Sequence, residues 1–250
     1  MIVAFLFGLV VGSFLNVCIY RLPRLESVVW PASRCTTCGR ALSWYENVPV
    51  LSWAVLRGRC RTCKAPVSVV YPVIELTTGL LFGAAYYWYG PTPLGLVRTL
   101  FGCAMVVLFV IDLRHRILPN VITVPGTFIG LALSVFLPPG WISSVIGVAV
   151  GGGVLFGIAE TYYRVRHLEG LGMGDVKMLA MIGAFLGWQL ALVTLVLASL
   201  GGALVGVWLM ATRRGGMQAA LPFGTFLAVA AAIAAVAGES LVAWYLSYYR

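Results

Sequence analysis

Long apolar runs and short polar breaks alternate along most of the chain. Runs near the length of about 20 residues that crosses a bilayer as a helix fall at 1–20, 71–89, 94–112, 120–137, 141–163, 176–187, 189–211 and 221–246. The stretch 176–211 holds 36 residues without a polar interruption of any length. As one straight helix it would extend roughly 54 Å, so the pattern predicts a break near Gly187-Trp188-Gln189. The first run has no basic segment before it and no small-residue cleavage site, and Arg21 and Arg24 follow it, which predicts a retained span rather than a removed signal peptide. Only residues 21–70 depart from the apolar pattern; they are polar, basic and cysteine-bearing. The expected architecture is an all-α polytopic membrane protein of about eight transmembrane helices. Residues 1–20 form its first helix, 21–70 a small cytoplasmic loop domain between helices 1 and 2, and 71–250 a seven-helix membrane domain.

Composition agrees with that pattern and excludes soluble classes. The 250 residues are 61% hydrophobic and 10% charged, whereas globular domains average about 25% charged. The net charge of +9 then reads as an orientation signal. Eight Lys and Arg lie between spans 1 and 2, two at 114–116, two at 164–166 and two at 213–214, and Lys177 opens span 6. With both termini outside, all of these face the cytoplasm and only Arg98 and Arg250 do not. The basic face suits an anionic lipid leaflet, and no nucleic-acid partner is expected. Glycines four apart (Gly147/Gly151, Gly153/Gly157, Gly202/Gly206) suit close helix packing. Trp141, Trp188, Trp244 and Tyr245 near span ends read as interfacial anchors.

Cys35-Thr36-Thr37-Cys38-Gly39 and Cys60-Arg61-Thr62-Cys63 form two CxxC pairs separated by 21 residues. Each pair folds into a tight knuckle that offers two thiolates to one tetrahedral ion, and four thiolates leave no open coordination position. The expectation is a structural Zn²⁺ on Cys35, Cys38, Cys60 and Cys63, supplying folding free energy to a loop with little core of its own. Disulfides are the competing reading, but the charge pattern puts this loop in the reducing cytosol. Cys18 and Cys103 lie within spans, where cysteine behaves as a small hydrophobe.

The chain has only two aspartates, Asp112 at the end of span 3 and Asp175 at the start of span 6. The topology puts both at the cytoplasmic edge of the bilayer. Each alone has an ordinary reading as an interfacial counter-ion, Asp112 to Arg116 and Asp175 to Lys177. Together, at matching depth on separate helices, they suit a carboxyl pair sharing one proton. The ionised member takes a proton from water while the protonated one donates to a carbonyl oxygen, which is the chemistry of aspartic peptide hydrolysis. Gly172 and Gly174, just before Asp175, allow an extended substrate to approach the backbone.

These pieces, with others, resemble the bacterial type IV prepilin peptidases, the leader peptidase/N-methyltransferases of the GxGD class. In chain order they are Gly12-Ser13-Phe14-Leu15-Asn16-Val17, Arg21-Leu22-Pro23, the CxxC pairs around Ser43-Trp44-Tyr45-Glu46-Asn47-Val48-Pro49, and Tyr71-Pro72-Val73-Ile74-Glu75-Leu76-Thr77-Thr78-Gly79. Ile111-Asp112, Ile117-Leu118-Pro119-Asn120, Gly172-Met173-Gly174-Asp175-Val176-Lys177 and Pro222-Phe223-Gly224 follow. The resemblance implies an inner-membrane bifunctional enzyme with Asp112 and Asp175 as catalytic residues. It would cleave the short basic leader of type IV prepilins or type II secretion pseudopilins at the cytoplasmic face. It would then methylate the new N-terminal residue with S-adenosylmethionine. Two features depart from the family pattern: the first CxxC lacks the proline common after its first cysteine, and Asn120 stands where many members have aspartate.

Glu75, in the first turns of span 2, reads either as a counter-ion for a neighbouring arginine or as a contact for the substrate's leader or new amine. Lys177 either tunes Asp175 and meets substrate or snorkels to the interface. His115 and His167 read as solvated. No nucleotide-binding glycine fingerprint is present, so a methyl-donor site rests on the resemblance alone, with Asn16, Glu46, Asn47, Glu75 and Gly79 as its candidates. A transporter with an aspartate relay is the competing class, but relay carboxylates sit near the bilayer midplane. A zinc-stabilised scaffold would need no aspartate pair.

Overall fold

The computed structural model of the chain describes residues 1–167, 172–212 and 221–248. Arg213, Arg214 and Arg250 of the charge pattern, and Gly170-Leu171 ahead of the glycine-rich turn, lie outside the described residues. Among those described there is no β-strand, only isolated bridges at Arg34–Ala41 and Arg59–Pro66. The helices are α1 (Ile2–Arg21), α2 (Leu51–Val55), α3 (Val70–Tyr89), α4 (Pro93–His115), α5 (Asn120–Leu133), α6 (Trp141–Arg166), α7 (Met173–Ala211) and α8 (Phe223–Ser247). Prolines set several starts: Pro93 opens α4, while Pro119 and Pro222 precede α5 and α8 in extended conformation, as suits a residue that cannot donate to a preceding turn.

Among the described residues, five segments are long and apolar enough to cross a membrane: Ile2–Arg24, Pro93–His115, Trp141–Arg166, Met173–Ala211 and Phe223–Ser247. The apolar run 120–137 yields a shorter helix than expected. α5 has 14 residues, about 21 Å at 1.5 Å per residue. It gives way at Ser134, whose hydroxyl turns back to the Leu131 carbonyl at 2.7 Å, just before Pro138-Pro139. α7 carries a break inside its 39 residues: Gly187 has φ 81° and ψ 172°, outside the helical region. A side chain there would be strained by that positive φ and would also meet Ser143 Oγ and Pro139.

The chain forms two compact units, Met1–Val107 and Leu108–Arg250, with α4 running through the boundary. In the first unit, α1 and α3 pack antiparallel along a seam in which Gly8 faces Gly79, Gly12 faces Glu75 and Asn16 reaches Tyr71. The polar loop lies between these two helices in sequence. In the second unit, α7 is the central element, packing on α5, α6 and α8. Its first half lies antiparallel to α6 with backbones in contact at Gly147 and Gly183, and the buried Ser144 hydroxyl donates to the Ala184 carbonyl at 2.8 Å. Of the expected glycine pairs, only Gly147/Gly151 serve such an approach; Gly153 and Gly157 face open space.

Candidate active site and metal centre

Both aspartates belong to the second unit, where four helix ends meet. Asp112 lies in the last turn of α4 and is only 4% exposed. Its Oδ2 accepts two hydrogen bonds from Thr225, one from the backbone N–H at 2.6 Å and one from the hydroxyl at 3.0 Å. Thr225 is in the first turn of α8, so the carboxylate rests on the amide-rich, positive end of that helix. Asp175 is in the first turn of α7, with its carboxylate close to Gly172, the residue that caps the same helix. Each carboxylate therefore sits on a helix N-terminus, and Asp175 lies within Coulombic range of Asp112.

Leu118, just before α5, packs against the first turns of both α7 and α8, at Gly174 and Gly224. A Cβ built on Gly174 would come within 3.0 Å of Leu118 Cβ. One on Gly224 would come within 2.9 Å of Leu118 Cδ1 and 3.0 Å of Asp112 Oδ2. Gly174 is thus occupied by packing against Leu118, while Gly172 is exposed and extended, with φ −72° and ψ 137°. Lys177 does not reach Asp175 through a described hydrogen bond; its Nζ donates to Asn120 Oδ1 at 2.9 Å. Among the described residues Arg116 makes no ion pair with Asp112 within 4.0 Å; Thr225 serves that carboxylate instead. Thr225 is not marked by the sequence pattern, and Leu118 enters it only within Ile117-Leu118-Pro119-Asn120. The available signal was Pro222-Phe223-Gly224, a helix start with a glycine ahead of a hydroxyl residue.

The four loop cysteines converge in the first unit. Their sulfurs all lie within 4.8 Å of one another, with Cys35 and Cys63 Sγ at 3.8 Å, and no cysteine of the chain is disulfide-bonded. Tetrahedral thiolates at about 2.3 Å from one Zn²⁺ would stand nearly 3.8 Å apart, so the donor set fits that ion. The two knuckles repeat one geometry. Cys35 N–H donates to Arg40 O at 2.9 Å and Cys60 N–H to Ala65 O at 2.8 Å. Gly39 and Lys64, each just after a second cysteine, both turn with positive φ, 71° and 59°. Amides of Cys38 and Thr37 hold the Cys35 thiol down at about 6, and those of Cys63 and Thr62 pull Cys60 below its ordinary value.

The remaining candidates separate into different roles. Glu46 is buried and takes Arg40 on both oxygens at 2.6 and 2.8 Å, closing a capping box with Ser43 over the turn 44–47. The Arg40 guanidinium beside it, with the Ser43 amide, holds its carboxyl below the usual range. Asn47 ends the same turn and is exposed. Asn16 donates to the Tyr71 carbonyl at 3.1 Å, and Gly79 admits Leu9 and Phe5 of α1. Asn16 and Gly79 lie two turns apart on the α1–α3 seam, roughly 12 Å along the axis. Glu75 is 7% exposed and accepts the Val50 amide at 2.8 Å. His115 and His167 are exposed, as are Trp141, Trp188, Trp244 and Tyr245.

Comparison with known proteins divides the chain in a similar way. A family model described as the bacterial Peptidase A24 N-terminal domain matches residues 6–89, and one described as the type IV leader peptidase family matches residues 99–207. The chain is 38% identical to a protein of Pseudomonas putida named prepilin leader peptidase/N-methyltransferase, over 94% of this chain and 90% of that one. A relative of the same name from Aeromonas hydrophila is 38% identical over 98% and 93%. One from Myxococcus xanthus is 46% identical over 85% of this chain, which spans 64% of that longer relative. No solved structure matches the chain.

Proposed function

The chain belongs to the type IV leader peptidase family, and from that membership we propose that it is an inner-membrane aspartic endopeptidase that removes the basic leader of type IV prepilins or pseudopilins and then methylates the new N-terminus. The observation that carries the peptidase half is the seating of Asp112 and Asp175 on two helix N-termini around Leu118. In this reading the pair shares one proton. As water attacks the scissile carbonyl carbon, the ionised carboxylate takes a proton from the water and the protonated carboxyl gives its own to the carbonyl oxygen. Collapse of the resulting gem-diol breaks the C–N bond. The amine nitrogen receives the proton that came from water, and a diol hydroxyl returns one to the other carboxylate. Gly172 in extended conformation leaves backbone accessible beside Asp175, and the Lys177 ammonium is held by Asn120. Both aspartates occupy terminal turns of their helices, unlike the midplane carboxylates of a relay.

The topology proposed with this activity has eight crossings, counting α3, α5 and the two parts of α7 on either side of Gly187. Both termini lie on the periplasmic side and the basic segments face an anionic cytoplasmic leaflet. Residues 21–70 form the cytoplasmic loop domain, in which Cys35, Cys38, Cys60 and Cys63 hold one structural Zn²⁺. S-adenosylmethionine, when bound, supplies an electrophilic methyl group to the new amine; no residue of this chain is assigned a step in that transfer.

The test is direct. Purified protein in lipid vesicles would receive a synthetic peptide with a basic leader and an apolar helix, with and without S-adenosylmethionine. Mass spectrometry is expected to show loss of the leader in both, and a further methyl group only with the donor. An intact peptide refutes the peptidase reading, and cleavage without methylation refutes the second activity.

A further inference from the structure

Val50 stands out in the first unit. Its φ of 60° and ψ of −50° form a γ-turn of the rare hand, closed by Leu51 N–H donating to Pro49 O at 2.5 Å. A β-branched residue in that region is a backbone outlier that persists only where its surroundings hold it. The holder is identifiable: the Val50 amide donates to Glu75 Oε2 at 2.8 Å. Glu75 is itself fixed at the tightest part of the α1–α3 seam, where a Cβ on Gly12 would come within 2.7 Å of Glu75 Cα.

The strained turn sits at a junction of the loop. It ends the turn 44–47 that Arg40 and Glu46 stabilise, and it starts α2, whose Trp53 indole donates to Val67 O at 3.0 Å and packs over Gly58. The start of the loop is tied separately, by the buried Arg21 guanidinium on the carbonyls of Ser27 and Pro31 at 2.9 and 2.7 Å. Glu75 therefore fastens the middle of the four-cysteine loop to the membrane helix pair, between the two knuckles.

We infer that Glu75 is a positioning residue, a latch whose acceptor oxygen holds the Pro49–Leu51 turn and, through it, the loop on α1 and α3. Its task is to accept a hydrogen bond rather than to carry a charge or exchange a proton with substrate. The functional consequence rests on the proposed methyl transfer: the candidates for a methyl-donor site, Asn16, Glu46, Asn47, Glu75 and Gly79, all lie in the first unit and the two aspartates in the second, so methylation depends on the latch and leader cleavage does not.

Hydrogen exchange on full-length protein in vesicles tests the latch apart from any activity. Glu75→Ala leaves the Val50 amide without its acceptor and is expected to lower protection across residues 44–56 about tenfold, the equivalent of one such hydrogen bond. Glu75→Gln presents an amide oxygen to the same donor and is expected to restore it. In the peptide assay Glu75→Ala is expected to lose methylation and cleave as wild type does, with Glu75→Gln active in both. Unchanged protection in Glu75→Ala overturns the latch, and Glu75→Gln as defective as Glu75→Ala overturns the acceptor role. Wild-type protein that cleaves but never methylates overturns the methyl-transfer reading while the exchange result stands by itself.

Discussion

Thr225 gives both its backbone amide and its hydroxyl to a single oxygen of Asp112, at 2.6 and 3.0 Å, so the Asp112 carboxylate is oriented from α8 rather than from its own helix. Among the described residues both contacts fall on Oδ2, which leaves Oδ1 for water or substrate. Hydrogen bonds to charged groups contribute about 1.5–3 kcal/mol. Thr225→Val keeps the amide and removes the hydroxyl, and it is expected to lower the kcat of leader cleavage about tenfold with KM unchanged. Thr225→Ser is expected to match wild type. Steady-state kinetics on the two variants checks the assignment, and a Val variant as fast as wild type removes the hydroxyl from the mechanism.

The four-cysteine centre leads to a metal stoichiometry. Protein purified without chelator is expected to hold about one zinc per chain, and Cys35→Ser or Cys60→Ser to hold none. Because the loop between the knuckles has little apolar core, stripping the metal is expected to raise hydrogen exchange over residues 33–66. Metal analysis that finds no zinc in the wild type contradicts this.

Gly147 and Gly183 bring the backbones of α6 and α7 into contact, and a Cβ on either would press on the carbonyl group of the other. Gly183→Ala is expected to destabilise the second unit by about 1–3 kcal/mol, the usual cost of overpacking a fitted core. Gly153→Ala, where a Cβ meets nothing, is expected to be neutral. Thermal unfolding in detergent compares the two.

The Arg40–Glu46 pair gives the loop a pH dependence. The carboxyl is held below its ordinary range in the folded loop, so its contribution is complete above the unfolded value near 4.3 and fades as pH falls through the lower folded value. Loop structure is expected to be insensitive to this group from neutrality to about pH 5. Arg40→Gln is expected to remove the countercharge and move the acid transition upward. A transition unchanged in Arg40→Gln shows that the pair carries none of the acid sensitivity.

Much of this architecture is legible in local pattern. Apolar runs mark the helices to within a few residues because lipid demands uninterrupted stretches, and the excess length of 176–211 points at Gly187, where the backbone leaves the helical region. CxxC spacing places two sulfurs in each knuckle by local geometry alone. What pattern does not carry is partnership at long range. Thr225 lies 113 residues from Asp112 and Val50 25 residues from Glu75, and no periodicity links such pairs. The same holds for Gly174, whose small size answers to Leu118 as well as to any substrate. The end of α5 at Leu133 was hidden because Ser134-Val135-Phe136-Leu137 stays apolar enough to extend the run while its hydrogen bonding turns.

Leader cleavage by Asp112→Asn, Asp175→Asn and the double variant, each against wild type with the same prepilin-like peptide, bears most directly on the paired-carboxyl mechanism. Asparagine preserves size and hydrogen bonding but neither takes up nor gives a proton at working pH. Each single variant is expected to lose cleavage by a factor on the order of 10³ or more, and the double variant to be no slower than the worse single one, because the two groups act as a unit. Cleavage at the wild-type rate by either single variant contradicts the assignment of Asp112 and Asp175 as the catalytic pair.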